Sequence, residues 1–511
     1  MAGEDLLVSQ RDLHFAERRR WVGLVGAPVL LVAIIALHPV NMNPQAARLL
    51  AVLAATLLLW ITEALPVAVT ALLGPAVAVA LGVAPADKMF ASFGNPMLFL
   101  LYGAFVLAAA AERTRLDRLL AARLFPDEGS SPERTLVVSG LVTAGISSLF
   151  SNAATTAMMV PVVRAAVAKL SPRAQAVGML SAAFSSSIGG VLMPVGTPPN
   201  LLAMAALAQY AKQSLPFFHW TLLALPMATA CMAVWMTLMV VTVRRERQMA
   251  TLVAGPPVAD VGLAADLLSV QQGQGLLGLN QGQAWTLLAI VAAAAGWVLP
   301  GLVELVCPPD DPVAAAIKAA LPEGVVAILA SALLFAVPAA PRNVAGRLRK
   351  RPVLTWAEAA QIDWGTILLF GGGLALGDQV FKTGLSTFIG DAIVHTTGVH
   401  SLWGLTILFS TASLLLSELT SNTATAAMMC PLAVMTANQL GLSPLEPVVA
   451  SGLAASMGFL MPISTAPNAI VYGTGKVPLG VMVRYGLWLD ATALLVIPPT
   501  VIAVAGILRA G

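Results

Sequence analysis

Two polar stretches far apart in this chain have almost the same letters. SNAATTAMMVP occupies residues 151–161 and SNTATAAMMCP occupies residues 421–431, with eight of eleven positions identical. Serine, asparagine and threonine carry neutral oxygens that bind hard cations such as Na+, and N–H or O–H groups that bind carboxylates. No cationic side chain stands beside either Ser-Asn pair. A bound anion would therefore need positive charge from helix ends or from a co-bound Na+.

A second pair of matching motifs contains proline. MPVGTPPN (193–200) and MPISTAPN (461–468) each lie inside an apolar stretch about as long as a full membrane span. Proline lacks an N–H and blocks the preceding helical turn, so each stretch is predicted to be a helix broken near its middle. The two breaks and the two Ser-Asn motifs together would offer free carbonyl groups, which suit Na+, and free N–H groups at helix N-termini, which suit an anion.

The composition of the chain is that of a polytopic membrane protein. Of 511 residues, 58% are hydrophobic and 10% are charged, whereas about 25% are charged in soluble domains. The net charge of +3 is too small to indicate a nucleic-acid partner. Three cysteines, far apart in sequence, indicate neither a disulfide framework nor a zinc cluster. The apolar stretch after Arg18, Arg19 and Arg20 is predicted to be a retained first span, with the N-terminus in the cytoplasm.

The distribution of Lys and Arg predicts how the chain crosses the membrane, because these residues concentrate in cytoplasmic loops. The basic segments 112–118 and 342–351 are predicted to be cytoplasmic, so the span 96–111 runs inward and its partner 364–381 runs outward. The matching motifs are offset by 268 to 270 residues. The halves are therefore predicted to be inverted repeats, which are typical of secondary transporters with a binding site near the membrane midplane. Further spans are predicted near 21–38, 48–61, 66–83, 284–300 and 324–340.

The Ser-Asn motifs are predicted to lie at the tips of two re-entrant hairpins. The arms 132–150 and 153–171 are short and are flanked by basic residues, which favours entry from the cytoplasm. The arms 401–420 and 423–440 lie in a region without Lys or Arg, which favours entry from outside. Non-helical backbone at this depth is tolerated only when it is buried in protein or lines a watery cavity.

From about residue 60 to its C-terminus, the chain resembles the divalent-anion/sodium symporter family in these doubled Ser-Asn tips and doubled Thr-Pro-Pro-Asn-like breaks. The resemblance implies an all-α polytopic membrane protein with about eleven transmembrane helices, two re-entrant hairpins, and separate scaffold and transport domains. It also implies a homodimer in the bacterial inner membrane, elevator-type movement, and Na+-coupled uptake of di- or tricarboxylates or of sulfate.

The resemblance assigns two sodium sites and one substrate site to residues of this sequence. The first sodium site would comprise Ser147, Ser151, Asn152 and the Gly196 carbonyl, and the second Ser417, Ser421, Asn422 and the Ser464 carbonyl. The substrate would contact Ser151, Asn152, Thr197, Ser421, Asn422, Thr423 and Thr465.

The sequence departs from the family pattern at Ala153, Ser464 and Ala466. Ala153 lacks the hydroxyl expected there, and a lost hydrogen bond is worth about 0.5–1.5 kcal/mol. That loss is enough to change the preference among anions.

Other interpretations of these residues stay open from the sequence. Small polar residues also cap helices and pack them closely in membranes. Glu418, one turn before the second tip, is either a proton or charge site or a hydrogen-bonded structural carboxylate. The GGG run at 371–373 is predicted to pack helices closely rather than to bind phosphate. A channel and an intramembrane enzyme are the alternatives from other classes, but no His or Asp lies near either Ser-Asn tip to serve as a base.

The expected function is Na+-coupled symport of a C4-dicarboxylate such as succinate, with Na+ as coupling ion and no organic cofactor. The closest alternatives are a dicarboxylate exchanger without Na+ coupling and a Na+/sulfate symporter. The expected partners are a small anion, membrane lipid and a second copy of the chain, and no nucleic acid. The predicted segments are a cytoplasmic N-terminus (1–20), scaffold helices and the start of the first repeat (21–111), the first transport region (112–243), a cytoplasmic linker (244–283), scaffold helices and the start of the second repeat (284–381), and the second transport region with the last helix (382–511).

Overall fold

The computed structural model describes residues 10–37, 42–124, 131–168, 170–254, 279–307, 311–339, 342–344, 347–349 and 351–510. Its first half is built of helices, and capping residues in the sequence mark where several of them begin. Asn43, Asn95, Ser131 and Ser171 each accept a backbone N–H as N-cap and are each followed by proline at the first helical position. The helices are α1 Gln10–Leu37, α2 Pro44–Thr62, α3 Val67–Ala80, α4 Ala86–Phe90, α5 Pro96–Thr114, α6 Leu116–Leu124, α7 Pro132–Ser147, α8 Asn152–Val167, α9 Pro172–Gly190, α10 Pro198–Ala206 and α11 Phe217–Ala254.

The second half is also built of helices. Its helices are α12 Gln281–Val306, α13 Pro312–Ala320, α14 Glu323–Ala336, α15 Trp356–Ala359, α16 Trp364–Lys382, α17 Leu385–Thr397, α18 Leu402–Leu419, α19 Asn422–Gln439, α20 Leu445–Ala455, α21 Ala466–Gly473 and α22 Leu479–Ala510. The prediction of an all-helical membrane protein is confirmed. Among the described residues, the exceptions to helix and loop are one antiparallel pair of three-residue strands, Arg342–Val344 and Arg347–Arg349, and one isolated bridge.

Several element bounds differ from the sequence prediction. Helix α11 continues through residues 244–254, so the first part of the segment predicted as a linker is helical. Residues 255–278 of that segment lie outside the described residues. Seven of the described helices are long and apolar enough to cross a membrane, so the count of eleven spans stays a prediction.

Both predicted breaks interrupt their helices. Residues 191–197 separate α9 from α10, and residues 456–465 separate α20 from α21. The first half of each broken helix packs against the second half of the other, α9 on α21 and α10 on α20. Parallel broken helices would pair first half with first half. The two broken helices are therefore antiparallel, which agrees with inverted repeats.

Glycine allows two equivalent close contacts between helices of the two repeats. A Cβ at Gly103 of α5 would lie 2.6 Å from the backbone of Ala327 in α14, and a Cβ at Gly372 of α16 would lie 2.1 Å from the carbonyl oxygen of Ala71 in α3. The two glycines are 269 residues apart, which is within the offset of the repeat motifs. The GGG run thus packs helices closely, as predicted.

Substituting one glycine of this run tests the packing argument. Gly372→Ala should lower the free energy of unfolding by about 1–3 kcal/mol, because the new methyl group overlaps the backbone of α3. Gly373→Ala is the matched control, since its Cβ would meet Ala427 at an ordinary 3.5 Å. Thermal unfolding of the purified proteins in detergent measures both. Equal melting temperatures for the two variants would contradict the close contact at Gly372.

Candidate functional site

Each Ser-Asn motif lies at a sharp connection between two helices. The first arm ends at Ser147 and the second starts at Asn152, with Ser151 as the N-cap that accepts the Ala154 N–H at 3.5 Å. In the other half, Ser421 accepts the Ala424 N–H at 3.2 Å. The helical hairpins are confirmed, and the tip serines cap helices as the packing interpretation expects. The capped N-termini also direct the positive ends of α8 and α19 towards the tips.

At the first tip the predicted residues meet around a glycine. The Ser147 hydroxyl donates to Asn152 Oδ1 at 2.7 Å. The Asn152 amide lies so close to Gly190 that a Cβ there would be 2.3 Å from Oδ1. Gly196 in turn lies against the Gly190 carbonyl oxygen, which would be 2.4 Å from a Cβ at position 196. Ser147, Asn152 and Gly196 therefore form one oxygen-rich cluster.

The second tip gathers more oxygen atoms around one amide. The Ser417 hydroxyl donates to the Ala455 carbonyl at 2.6 Å. One terminal atom of the Asn422 amide faces three oxygens, namely Ser417 Oγ at 2.7 Å and the carbonyls of Ala455 and Ser464 at 3.2 Å each. The hydrogen-bond geometry identifies this atom as the amide nitrogen, which donates to these oxygens. Neutral hydroxyl, amide and carbonyl oxygens are suitable ligands for Na+.

Two asparagines hold the breaks in shape, and the sequence analysis gave them no role. Asn200 Nδ2 donates to the carbonyls of Gly190 and Met193 at 3.1 and 2.8 Å. Asn468 Nδ2 donates to the carbonyls of Gly458 and Met461 at 3.0 and 3.1 Å. Both residues are fully buried. The sequence does contain a signal for this role, because each asparagine is the last residue of the repeated proline motif.

A single cavity of about 1050 Å³ brings both tips and both breaks together. Most of the predicted site residues line it: Ser151, Asn152, Gly196, Thr197, Ser421, Asn422, Thr423, Ser464 and Thr465. Ser147 and Ser417 lie behind the tips, fully buried, and reach the site through Asn152 and Asn422. The N-termini of α8, α10, α19 and α21 all start at this cavity. Four helix N-termini around a volume suited to a small molecule favour an anion.

Charged residues lie at another part of the cavity wall, where α5 ends and α16 begins. They are Glu112, Arg113, Glu358 and Asp363. Among the described residues that line the cavity, Arg113 is the one cationic side chain, and it pairs with Glu358 at 2.8 Å. Burial raises the pKa of Glu358, but hydrogen bonds from the Thr355 side chain and backbone and the nearby Arg113 and Arg351 outweigh it and lower that pKa overall. Arg113 is thus paired with a carboxylate and is not a ready partner for a bound anion.

Comparison with known proteins identifies the family. The model of the family described as "CitMHS: Citrate transporter" matches residues 57–452. The chain belongs to the citrate transporter family. A sodium-dependent dicarboxylate transporter, SdcS, from Staphylococcus saprophyticus is 28% identical over 93% of this chain and 89% of its own. SdcS from Staphylococcus aureus strain bovine RF122 is 27% identical over 96% of this chain and 94% of its own.

Two solved structures share the fold at low sequence identity. The YdaH transporter of Alcanivorax borkumensis has a TM-score of 0.52 and 16% identity, over 96% of this chain and 98% of its own. MtrF of Neisseria gonorrhoeae, described as an antimetabolite efflux pump, has a TM-score of 0.54 and 14% identity, over 94% of both chains. Family membership also confirms the predicted relationship to divalent-anion/sodium symporters. The protein is an integral membrane transporter and not an enzyme.

Removing the asparagines that hold the breaks should destabilise the protein. Asn200→Ala and Asn468→Ala each leave two buried carbonyls without their side-chain donor, at a net cost of about 1 kcal/mol for each lost hydrogen bond. Asn438→Ala, at an exposed position of α19, is the control and should leave the melting temperature unchanged. Melting temperatures of the Asn200 and Asn468 variants equal to that of the control would refute this role.

Proposed function

We propose that this protein is a Na+-coupled symporter of C4-dicarboxylates such as succinate. The observation that carries the proposal is the convergence of four helix N-termini and two oxygen clusters on one cavity, whose one cationic residue among the described lining residues is already ion-paired. A dicarboxylate in this cavity would keep two negative charges away from bulk water. Helix N-termini compensate part of this charge, and a cation at each oxygen cluster would compensate more.

Sodium fits the donor sets at both tips. Ser147, Ser151, Asn152 and the Gly196 carbonyl would hold one ion, and Ser417, Ser421, Asn422 and the Ser464 carbonyl the other. The Ala455 carbonyl also faces Asn422 and would join the second set. Bound Na+ supplies the positive charge that the cavity side chains lack. Binding of the ions and of the anion would then favour each other, which is the thermodynamic requirement for symport.

The choice of a dicarboxylate as substrate rests on the polar residues that the two repeats place at opposite ends of the site. Ser151, Asn152 and Thr197 belong to one repeat, and Ser421, Asn422, Thr423 and Thr465 to the other, so an elongated anion can direct one carboxylate to each. Ala153 offers no hydroxyl, which disfavours a compact anion such as sulfate that needs donors converging on one point. The printed names of the SdcS relatives, sodium-dependent dicarboxylate transporters, also support this choice. The description of the family model makes citrate a second candidate.

Transport would proceed by an elevator movement between a scaffold and a transport domain. The cavity wall at Glu112 and Glu358 lies beside the basic segments that are predicted to be cytoplasmic, so the cavity would be open to the cytoplasm. Away from that wall, the Tyr210 hydroxyl donates to the Leu374 carbonyl of α16 at 2.9 Å, and its ring stacks on Phe381. Gln209 accepts a hydrogen bond from Asn95 at the start of α5. These contacts would close the outer side.

Uptake into proteoliposomes tests the proposal. We expect radiolabelled succinate to accumulate with an inward Na+ gradient and not with choline, because Na+ supplies the charge compensation. Asn422→Ala should raise the Na+ concentration for half-maximal uptake roughly tenfold, the effect of losing one or two ligand contacts. The exposed Asn438→Ala serves as control. Unlabelled succinate should compete better than citrate, 2-oxoglutarate or sulfate.

Each alternative gives a different result in this assay. Full uptake in choline that depends on succinate inside the vesicles would make the protein an exchanger. Competition by sulfate alone would overturn the dicarboxylate assignment, and competition by citrate at lower concentration than succinate would make citrate the substrate. Flux that does not saturate with succinate would indicate a channel.

Displacing Tyr210 should open the cavity to the outer side of the membrane. A Cβ at Gly377 would lie 2.3 Å from the Tyr210 hydroxyl, so Gly377→Ala prevents its docking on α16. In a cysteine-free background carrying Ala153→Cys, we expect an impermeant maleimide added outside intact cells to label the Gly377→Ala protein several times faster. Gly506→Ala, whose Cβ meets nothing within 4 Å, is the control. Equal labelling rates for Gly377→Ala and the control would argue against this outer closure.

A further inference from the structure

We propose that Glu418 is a positioning residue for the second sodium site, acting through the backbone of the second break. The inference rests on the proposed function, because it assigns a role toward the Na+ that the Ser464 carbonyl would bind. Glu418 is buried at the end of α18, with 5% of its surface exposed. It is absent from the residues that line the cavity. Its action on the ion would therefore be indirect.

The two carboxylate oxygens of Glu418 each accept a backbone N–H from the break. Oε1 accepts from Leu460 at 3.0 Å and Oε2 accepts from Met461 at 3.2 Å. A non-helical segment in an apolar interior needs such partners, because each unpaired backbone group there is costly. Glu418 thus fixes the middle of residues 456–465.

Three side chains near the second tip hold this break at three points. Ser417 binds the Ala455 carbonyl at the start of the break, and Asn422 faces the Ser464 carbonyl near its end. Glu418 holds Leu460 and Met461 between them. Because Ser417 and Glu418 are consecutive residues, the end of α18 sets the path of the whole segment. The position of the Ser464 carbonyl depends on that path.

The different lengths of the two breaks explain why only the second half has this carboxylate. Its break spans seven residues, 191–197, whereas the second spans ten, 456–465. Helix α20 ends at Ala455, which by the repeat offset corresponds to Ser187, three residues before the end of α9. The aligned residue of Glu418 is Ser148, whose hydroxyl donates to Gly145 in its own helix. The longer break has more free N–H groups, and Glu418 accepts two of them.

Asp490 of α22 lies beside Glu418 and provides a control position for substitutions of Glu418. The two carboxyl groups are in contact, and neither Asp490 oxygen has a donor in good hydrogen-bond geometry among the described residues. Gly486, one turn earlier, brings α22 close to the break, since a Cβ there would be 2.6 Å from the Phe459 carbonyl oxygen. Asp490→Asn removes one carboxyl group of the pair and leaves both N–H bonds to Glu418 in place.

The test compares Na+ activation of succinate uptake in three variants. Glu418→Gln has one carbonyl oxygen for two N–H groups, so we expect the Na+ concentration for half-maximal uptake to rise roughly tenfold. The KM for succinate at saturating Na+ should stay close to the wild-type value, a split that general loss of stability would not produce. Asp490→Asn and Ser148→Ala should both keep the wild-type Na+ dependence.

Two outcomes would overturn the inference. One is a Glu418→Gln protein that transports with the wild-type Na+ dependence. The other is an equal shift in Asp490→Asn, which would assign the effect to the carboxyl pair and not to the bonds with the break. If Glu418→Gln is not recovered folded, Na+-induced thermal stabilisation of Glu418→Asp, one methylene too short for both bonds, replaces it, and stabilisation equal to wild type would also overturn the inference. Absence of Na+ activation in the wild-type protein would instead count against the proposed function.

Discussion

The constraint on which this structure depends is the cost of interrupting helices inside an apolar protein. Every interruption leaves backbone N–H and C=O groups that lipid cannot satisfy. Two such interruptions meet at one cavity with two hairpin tips, and two carbonyls in or next to each break accept hydrogen bonds from an asparagine of the following helix. What remains around the cavity is a small set of carbonyl oxygens and helix N-termini. Those remaining groups are the ones a cation and an anion can use.

In each half, an ion pair joins a long helix to the start of a broken helix, and the sign of the pair is opposite in the two halves. Where α11 passes the start of α9, Glu246 accepts a hydrogen bond from Ser171 and pairs with Arg173. Where α22 passes the start of α20, Arg509 donates to Ser443 and pairs with Glu446. A serine lies near the start of each helix, and the sign of the ion pair is reversed. An inverted repeat exposes equivalent positions to opposite sides of a membrane, so charge at the helix ends is free to change while the packing is preserved.

The sequence predicted the parts of the site that are repeated and missed the parts that are not. The tips, the breaks and the close packing at GGG follow from matching letters or from local chemistry, and each is found within a few residues of its expected position. The bond between Glu418 and the amides of Leu460 and Met461 joins residues about forty positions apart with no counterpart in the first half. The Tyr210–Leu374 contact spans 164 residues. Such contacts depend on how helices approach one another, and no local pattern encodes them.

The structure bears on both interpretations of the small polar residues. Ser151 and Ser421 cap the helices that follow them, so capping accounts for their place at the tips. Capping does not account for Ser417 and Asn422, because a helix cap needs only one backbone partner, and here a hydroxyl and two carbonyls from a separate helix and break converge on one amide. This convergence of oxygens, with Ser147 bound to Asn152 at the equivalent place in the other half, supports the proposed sodium sites.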